Sequence, residues 1–466
     1  MGGGRGAMTA YRLLSWFLRL VASVFYRQTQ VVGREQVPGE DEGPVIFAGN
    51  HPNSLHDPLL IIATSGRVVH FAAKDTLFES RFLRFFLRNL GAVPVARRQD
   101  HGEQADNQGA FEALFDILSE GRAMGIFPEG LSHDEAQLAR LKTGAARIAL
   151  GVVARHPDLV VRIVPCGLNY VHPKRFRSRV LVQYGPPLWV DARRLDAYQK
   201  DERAAVRALT EELEQALRAL TVNASDWETI TVLDGVRRLY QPERVTLEQR
   251  AELARRFNAY YPKVKDEPDV RALYGQVAEY LDHLEVLGLG DADLRRPLGP
   301  FRILFHVASQ LILLFLWLPL ALPGMLIYVP LLLSVRLLGP RVSPRRDVIA
   351  TTKLVLGLLL TLAFMGLVTA ATAYFHGPIP AVGVALILFL SFHATLRVLE
   401  RGLALLRLAS RLLRLFTFRR EVERLRGVRV ELERAVAAAV ARYRPPDLPP
   451  IFPAEPPLLD ASDNLE

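Results

Sequence analysis

Hydrophobic and polar positions follow three rhythms along the chain. Between about Val31 and Trp189, short β-rich runs (VIFAG, VVHFAA, AVPVA, MGIF, IVPCGL and VLVQYG) alternate with stretches whose apolar residues recur every three or four positions, at 79–90, 107–120 and 142–154. The first kind predicts strands and the second helices, so residues 30–195 are expected to form an α/β domain with a mixed sheet flanked by helices. From 196 to 300 the pattern is polar and amphipathic, as in DERAAVRALTEELEQALRAL, and predicts helices alone. Three nearly unbroken apolar blocks follow, Ile303–Val335, Leu354–Phe375 and Ile379–Leu396. About 20 apolar residues suffice to cross a bilayer.

The last two blocks are separated only by His376, Gly377 and Pro378, which predicts a tight helical hairpin. The first block has 33 residues and contains Pro319 and Pro323, so it reads as one tilted span or as a short two-pass or re-entrant hairpin. Its linker to the second block, 336–353, carries five basic residues and one acidic, and the flanks before 303 and after 396 are basic too. Positive charge favours the cytoplasmic face. Two hairpins over 301–396 place all three basic segments there, with the α/β domain on the same side. At the N-terminus, Arg19 interrupts the apolar run Leu13–Phe25 and no small-residue cleavage site follows, so a removable signal peptide is not expected. Arg12, Arg19 and Arg27 fall within about 80° of one another on a helical wheel. Leu13, Leu14, Phe17, Val21 and Val24 form a separate face. Residues 1–29 are therefore expected to be a membrane-interface helix, the alternative being a helix packed on its own domain.

Composition sharpens this picture. The net charge of +9 suits either nucleic acid or anionic lipid. Its location decides: 397–444 holds thirteen Arg and five Glu directly after the apolar blocks, so a basic amphipathic helix facing lipid headgroups is expected there and no nucleic-acid partner. The Pro-rich segment 445–466 reads as a disordered tail. A single cysteine, Cys166, excludes an intrachain disulfide and a multi-cysteine metal site. His51, His56, His70, His133, His156 and His172 lack zinc-site spacing, so no metal is expected.

The chemistry concentrates in four segments. Ala48-Gly-Asn-His51-Pro-Asn-Ser-Leu-His-Asp57-Pro58 follows the strand VIF. Residues six apart do not share a helix face, so His51 and Asp57 meet only if the chain turns at Pro52-Asn53-Ser54. A carboxylate so placed would fix the imidazole tautomer and stabilise the imidazolium formed when His51 takes a proton. Alternatively, Asp57 caps a helix beginning at Pro58 and His51 is a loop residue. Gly91-Ala-Val-Pro-Val-Ala-Arg97-Arg98 ends a strand in two guanidinium groups suited to phosphate, or in a solvated basic pair. Phe127-Pro-Glu129-Gly130-Leu-Ser132-His-Asp134 and Val164-Pro165-Cys-Gly167 complete the set.

In this order over about 120 residues, the four segments resemble the motifs of the glycerol-phosphate and lysophosphatidate acyltransferase superfamily. The five residues between His51 and Asp57, where four are usual, resemble its fungal-type glycerol-3-phosphate/dihydroxyacetone-phosphate subset; so do Ser132-His133-Asp134 and Leu141-Lys142-Thr-Gly144. Val236-Arg-Arg-Leu-Tyr-Gln-Pro242 looks like a further feature of that subset.

The resemblance implies His51 as general base with Asp57, and His56 as a competing candidate. It implies acceptor phosphate on Arg97, with Arg98 beside it, and glycerol phosphate held near the base by Glu129, Gly130 and Ser132. Lys74, after VVHFAA, reads equally as a further phosphate contact or as a surface lysine. Pro165 would shape the acyl-donor side. No cofactor is implied beyond acyl-CoA or acyl carrier protein as co-substrate. The partners are a phosphorylated glycerol, an acyl thioester and membrane lipid. Transfer to sn-glycerol 3-phosphate or dihydroxyacetone phosphate is expected, with lysophosphatidate as the alternative acceptor. A non-catalytic membrane scaffold is a remoter alternative, against which intact His51, Asp57, Arg97 and Glu129 weigh. A hydrolase is unsupported, since no G-x-S-x-G turn is present.

Overall fold

The computed structural model describes residues 3–79, 81–96, 108–295 and 299–452. The chain falls into two units: Met1–Asn223 with Leu331–Phe364, and Ala224–Pro330 with Met365–Glu466.

The first unit is built on a mixed sheet of β1 (Tyr26–Val32), β2 (Val45–Gly49), β3 (Val69–Lys74), β4 (Val93–Val95), β5 (Ala123–Ile126), β6 (Val161–Tyr170), β7 (Ser178–Tyr184) and β8 (Leu188–Val190). The strand order is β1-β7-β6-β2-β5-β3-β4, with β8 on β6. β2 lies parallel between β5 and β6, Phe47 opposite Gly125 and Val164. Alternate side chains of a strand point to opposite faces. Val45 and Phe47 accordingly enter one core with α1 (Gly3–Phe25) and α2 (His56–Thr64), while Ile46 and Ala48 enter another. The second core receives α4 (Gln108–Ser119), α5 (Gly144–Arg155) and α7 (Glu202–Leu220), with α3 (Arg81–Asn89) and α6 (Leu195–Lys200) completing the helices. A central strand buried on both faces needs an unbroken apolar run, which VIFAG supplies.

One boundary differs from the sequence reading. The N-terminal helix stops at Phe25 rather than 29, because Tyr26–Val32 pairs in parallel with β7 and forms an edge of the sheet. That run, YRQTQVV, has no apolar alternation to announce it; the partner strand defines it. The helix also sits on its own domain: Tyr11, Val21, Ala22 and Phe25 are buried in the core it shares with α2 and β3, whereas Leu13 and Trp16 remain exposed.

In the second unit α8 (Trp227–Tyr240), α9 (Leu247–Val264), α10 (Pro268–Leu287), α11 (Asp291–Arg295) and α15 (Arg419–Tyr443) form a helical bundle. Val232, Leu239, Val277, Tyr280 and Leu284 pack against Val422, Leu425, Leu432 and Val436. Arg429 is buried with its guanidinium 2.9 Å from Asp291, which also accepts from the Tyr280 hydroxyl at 2.9 Å. Arg237, in the Val236–Pro242 segment, is buried on Asp234 of the same helix at 2.6 Å.

The apolar blocks lie in α12 (Pro300–Val342), α13 (Ile349–His376) and α14 (Pro378–Thr417), three helices long and apolar enough to cross a membrane. The hairpin expected within 303–335 is absent: α12 runs unbroken for 43 residues through Pro319 and Pro323. Proline removes a ladder donor and frees a carbonyl. The carbonyls so freed are those of Phe315 and Pro319; beside them, Ser391 Oγ of α14 accepts from Gly324 N at 2.7 Å and donates to the Ala321 carbonyl at 3.3 Å. The basic segment 397–444 is likewise not one helix. Its first part continues α14 to Thr417, the chain bends at Phe418, and α15 follows, drawn into the bundle by its apolar face. Of the tail expected from 445, residues 453–466 lie outside the described residues.

Candidate active site

The carboxyl ends of β2 and β5, neighbours in the sheet, release the two loops that build the site. Crevices at the carboxyl ends of parallel strands are the usual ligand positions in α/β sheets. After β2 the chain reverses through Ser54, whose φ is +48°, and His51 Nδ1 comes within 2.8 Å of Asp57 Oδ2. Asp57 does not cap α2, which begins at His56; its carboxylate turns back to accept from Asn53 N at 2.8 Å and from the Tyr170 hydroxyl at 2.5 Å. Burial raises the Asp57 carboxyl above its ordinary pKa, opposed by these donors. They hold a charged-form acceptor against His51 and orient the ring. The ring of Phe127 stacks on that of His51 at 4.1 Å between centroids. Nε2 of His51 has no hydrogen-bond partner among the described residues and the side chain is 12% exposed, so one imidazole nitrogen faces outward.

His56 is differently placed. It is wholly buried beside Phe25, with Nδ1 2.8 Å from the Tyr26 hydroxyl, and burial lowers its pKa to about 4. A ring shut in this way cannot reach a substrate hydroxyl.

The β5 loop supplies the second half. Glu129 is buried; Oε1 accepts from His51 N at 2.7 Å, and Oε2 accepts from Ala139 N at 2.8 Å and from His133 Nε2. His133 N donates to the His51 carbonyl at 3.2 Å, and its pKa is raised by the Glu129 hydrogen bond. Gly130 has φ +77°, and a Cβ there would strike the side chain of the exposed Lys142. The left-handed backbone is what requires glycine, since the flexible end of an exposed lysine can move aside.

Residues 28–169 match the family model described as Acyltransferase, and residues 232–447 match Glycerol-3-phosphate acyltransferase 2 C-terminal domain. Glycerol-3-phosphate O-acyltransferase 1 of Saccharomyces cerevisiae is 32% identical over 75% of this chain and 59% of its own length. Glycerol-3-phosphate O-acyltransferase 2 of the same yeast is 26% identical, over 75% and 63%. The chain thus spans less than two thirds of these two relatives. The 1-acyl-sn-glycerol-3-phosphate acyltransferase of Borreliella burgdorferi is 32% identical over 38% of this chain and 67% of its own length. The chain belongs to the glycerol-phosphate/lysophosphatidate acyltransferase superfamily.

Of the residues that the superfamily motifs single out, the structure brings His51, Asp57, Glu129 and Gly130 together. Glu129 faces inward, each of its oxygens taken by protein donors, so it braces the His51 loop instead of projecting into the site. Ser132 is buried and donates its hydroxyl to Asp347 at 2.5 Å. Pro165 pairs in register with Ala48, and its carbonyl accepts from Gly185 N at 2.9 Å. Lys74 ends β3 opposite Val95 on β4, the strand that leads toward Arg97 and Arg98. Arg97 and Arg98 themselves lie outside the described residues. Among the described residues no group of three or more His, Cys, Asp and Glu is arranged to hold a metal.

Sequence reasoning missed Tyr170, which lies 113 positions from Asp57, the stacking Phe127, and the linker residues Arg345, Asp347 and Thr351. None carries a local signal. FPEG does contain the phenylalanine, but only the β2–β5 pairing places its ring on His51.

Proposed function

We propose that this protein is a membrane-bound O-acyltransferase moving a fatty acyl group from a thioester to sn-glycerol 3-phosphate or dihydroxyacetone phosphate, in phosphatidic acid and phospholipid synthesis. The observation carrying the proposal is the 2.8 Å pair of His51 Nδ1 and Asp57 with the other ring nitrogen facing outward. In this reading Nε2 takes the proton of the acceptor hydroxyl as its oxygen attacks the thioester carbonyl. The tetrahedral oxyanion then collapses, the C–S bond breaks, and the proton passes to the leaving thiolate. Asp57 stabilises the imidazolium formed in between, and no protein nucleophile is required.

Arg97, with Arg98 or Lys74, would bind the acceptor phosphate, because a planar guanidinium offers two parallel donors to phosphate oxygens. Gly130 would line the acceptor side and Pro165 the donor side. Acyl-CoA and acyl carrier protein are both suitable donors. The likeness to the Borreliella 1-acyl-sn-glycerol-3-phosphate acyltransferase supports lysophosphatidate as a second acceptor. The α/β domain would face the cytoplasm, where such thioesters are found.

Membrane preparations of the wild type and of His51→Ala, given acyl-CoA or acyl carrier protein and a panel of phosphoglycerol acceptors, test the proposal. Wild type should acylate glycerol 3-phosphate, and His51→Ala should lose at least the roughly 10²-fold typical of a missing general base with donor KM unchanged. Full activity in His51→Ala, or no transfer to any phosphorylated acceptor by the wild type, would overturn it.

A further inference from the structure

The linker between α12 and α13 belongs to the same unit as the acyltransfer motifs and lies against them. Asp347 is buried, and its Oδ2 accepts from Ser132 Oγ at 2.5 Å and from Arg345 Nη2 at 3.0 Å. The same Nη2 reaches Ser132 Oγ at 3.3 Å. Thr351, buried at the start of α13, accepts from Leu55 N at 3.2 Å, within the loop that joins His51 to Asp57. Lys353 Nζ donates to the Lys174 carbonyl at 3.1 Å. The linker is thus tied to the loop after β2, to the loop after β5 and to the chain beyond Tyr170.

Arg345 is the residue this arrangement presents. One of its nitrogens is occupied by Asp347 and Ser132, while the side chain is 56% exposed, and Nε and Nη1 have no partner among the described residues. A buried carboxylate and a buried hydroxyl hold one edge of the guanidinium, leaving its other donors turned outward beside Ser132. His133, the next residue, bonds to the His51 carbonyl. A guanidinium fixed at one edge has already lost most of its rotamer freedom, which lowers the entropy of binding an anion at the other.

We propose that Arg345 is a phosphate-binding residue of the acyl-acceptor subsite, and that Asp347 and Ser132 are its positioning residues. The ligand is a phosphate monoester. The proposal rests on the acyltransferase reading, and it assigns part of the acceptor subsite to the segment between the apolar helices. It also gives Ser132 a role consistent with its burial: it orients the arginine instead of touching the acceptor.

The test uses the full-length protein in lipid vesicles, with acceptor and donor KM measured separately. Arg345→Ala should raise the KM for glycerol 3-phosphate about tenfold or more, the scale of a charge-assisted hydrogen bond, with kcat and donor KM within about twofold. Arg345→Lys should restore part of the loss. Asp347→Asn should raise acceptor KM several-fold alone and add almost nothing in the Arg345→Ala background, since coupled residues are not additive.

Varying the vesicles from neutral to phosphatidylglycerol-rich separates acceptor phosphate from lipid headgroup. The acceptor effect should persist in both, whereas an Arg345→Ala change confined to vesicle binding would overturn the assignment. So would an unchanged acceptor KM, or additive effects of Arg345→Ala and Asp347→Asn. These outcomes leave His51-dependent transfer in place, so failure of the inference is distinguishable from failure of the function.

Discussion

His51 and His56 show how five residues of separation produce opposite environments. His51 has a carboxylate on one ring nitrogen and an outward second nitrogen, while His56 is sealed against Tyr26 and Phe25. For His56 this has a consequence in acid. Its folded pKa is lowered by burial to about 4 from an ordinary 6.5, so between these values the unfolded chain binds a proton that the folded chain refuses. Stability contributed by the neutral ring is complete above 6.5 and is lost as pH falls toward 4, by about 3 kcal/mol in all. Asp57, whose carboxyl burial raises, acts in the opposite sense, so the comparison must be with a variant at 56. Between pH 6.5 and 4 the thermal midpoint of the wild type should fall more steeply than that of His56→Gln. Parallel curves would place the acid sensitivity elsewhere. Both histidines were legible in the sequence as candidates, but the choice of His51 rested on the family resemblance alone. The burial that distinguishes them comes from α1, β1 and α2, segments far apart in the chain.

Helix α12 illustrates an element whose continuity its own sequence does not disclose. Pro319 and Pro323 argue for a break, yet the helix runs through both, and beside Pro323 the hydroxyls of Ser391 and Thr395 of α14 bond to Ala321 and Gly324. Tyr328 adds a hydrogen bond to the Leu388 carbonyl at 3.1 Å. In an apolar surrounding an unmade backbone hydrogen bond costs about 1–3 kcal/mol. Ser391→Val, close in shape but without the hydroxyl, should therefore lower the thermal midpoint of the detergent-solubilised protein, and Ser391→Thr should recover part of it. A variant as stable as wild type would show that this contact adds nothing to the stability of α12. The same lesson holds for β1, a polar run that becomes a strand because β7 offers its edge, and for the segment after Arg397, which divides at Phe418 because α15 buries Val422, Leu425, Leu432 and Val436.

At the scale of the molecule, the linker contact constrains the path through the membrane. Asp347 lies against Ser132, and no described helix between Ser132 and Pro300 is long and apolar enough to cross. The linker that precedes α13 is therefore expected on the His51 side of the membrane, with α13 and α14, joined at Gly377, passing out and back. With Cys166→Ser as background, Ser343→Cys should react with an impermeant thiol reagent from the His51 side only. His376→Cys should be protected from that side; labelling of Ser343→Cys from the opposite side would falsify this path. The sequence by itself determined strands β2 to β7, three of the helices between them, the apolar blocks and the four motifs, because side-chain periodicity and short-range spacing are local properties. Tertiary structure alone decided what depends on distant partners. Glu129 is turned inward by His51, Ala139 and His133, Ser132 is claimed by Asp347 from 215 positions away, and Tyr170 closes on Asp57. A buried polar group must find a hydrogen bond wherever the fold provides one, and no local pattern encodes which distant segment the fold will bring.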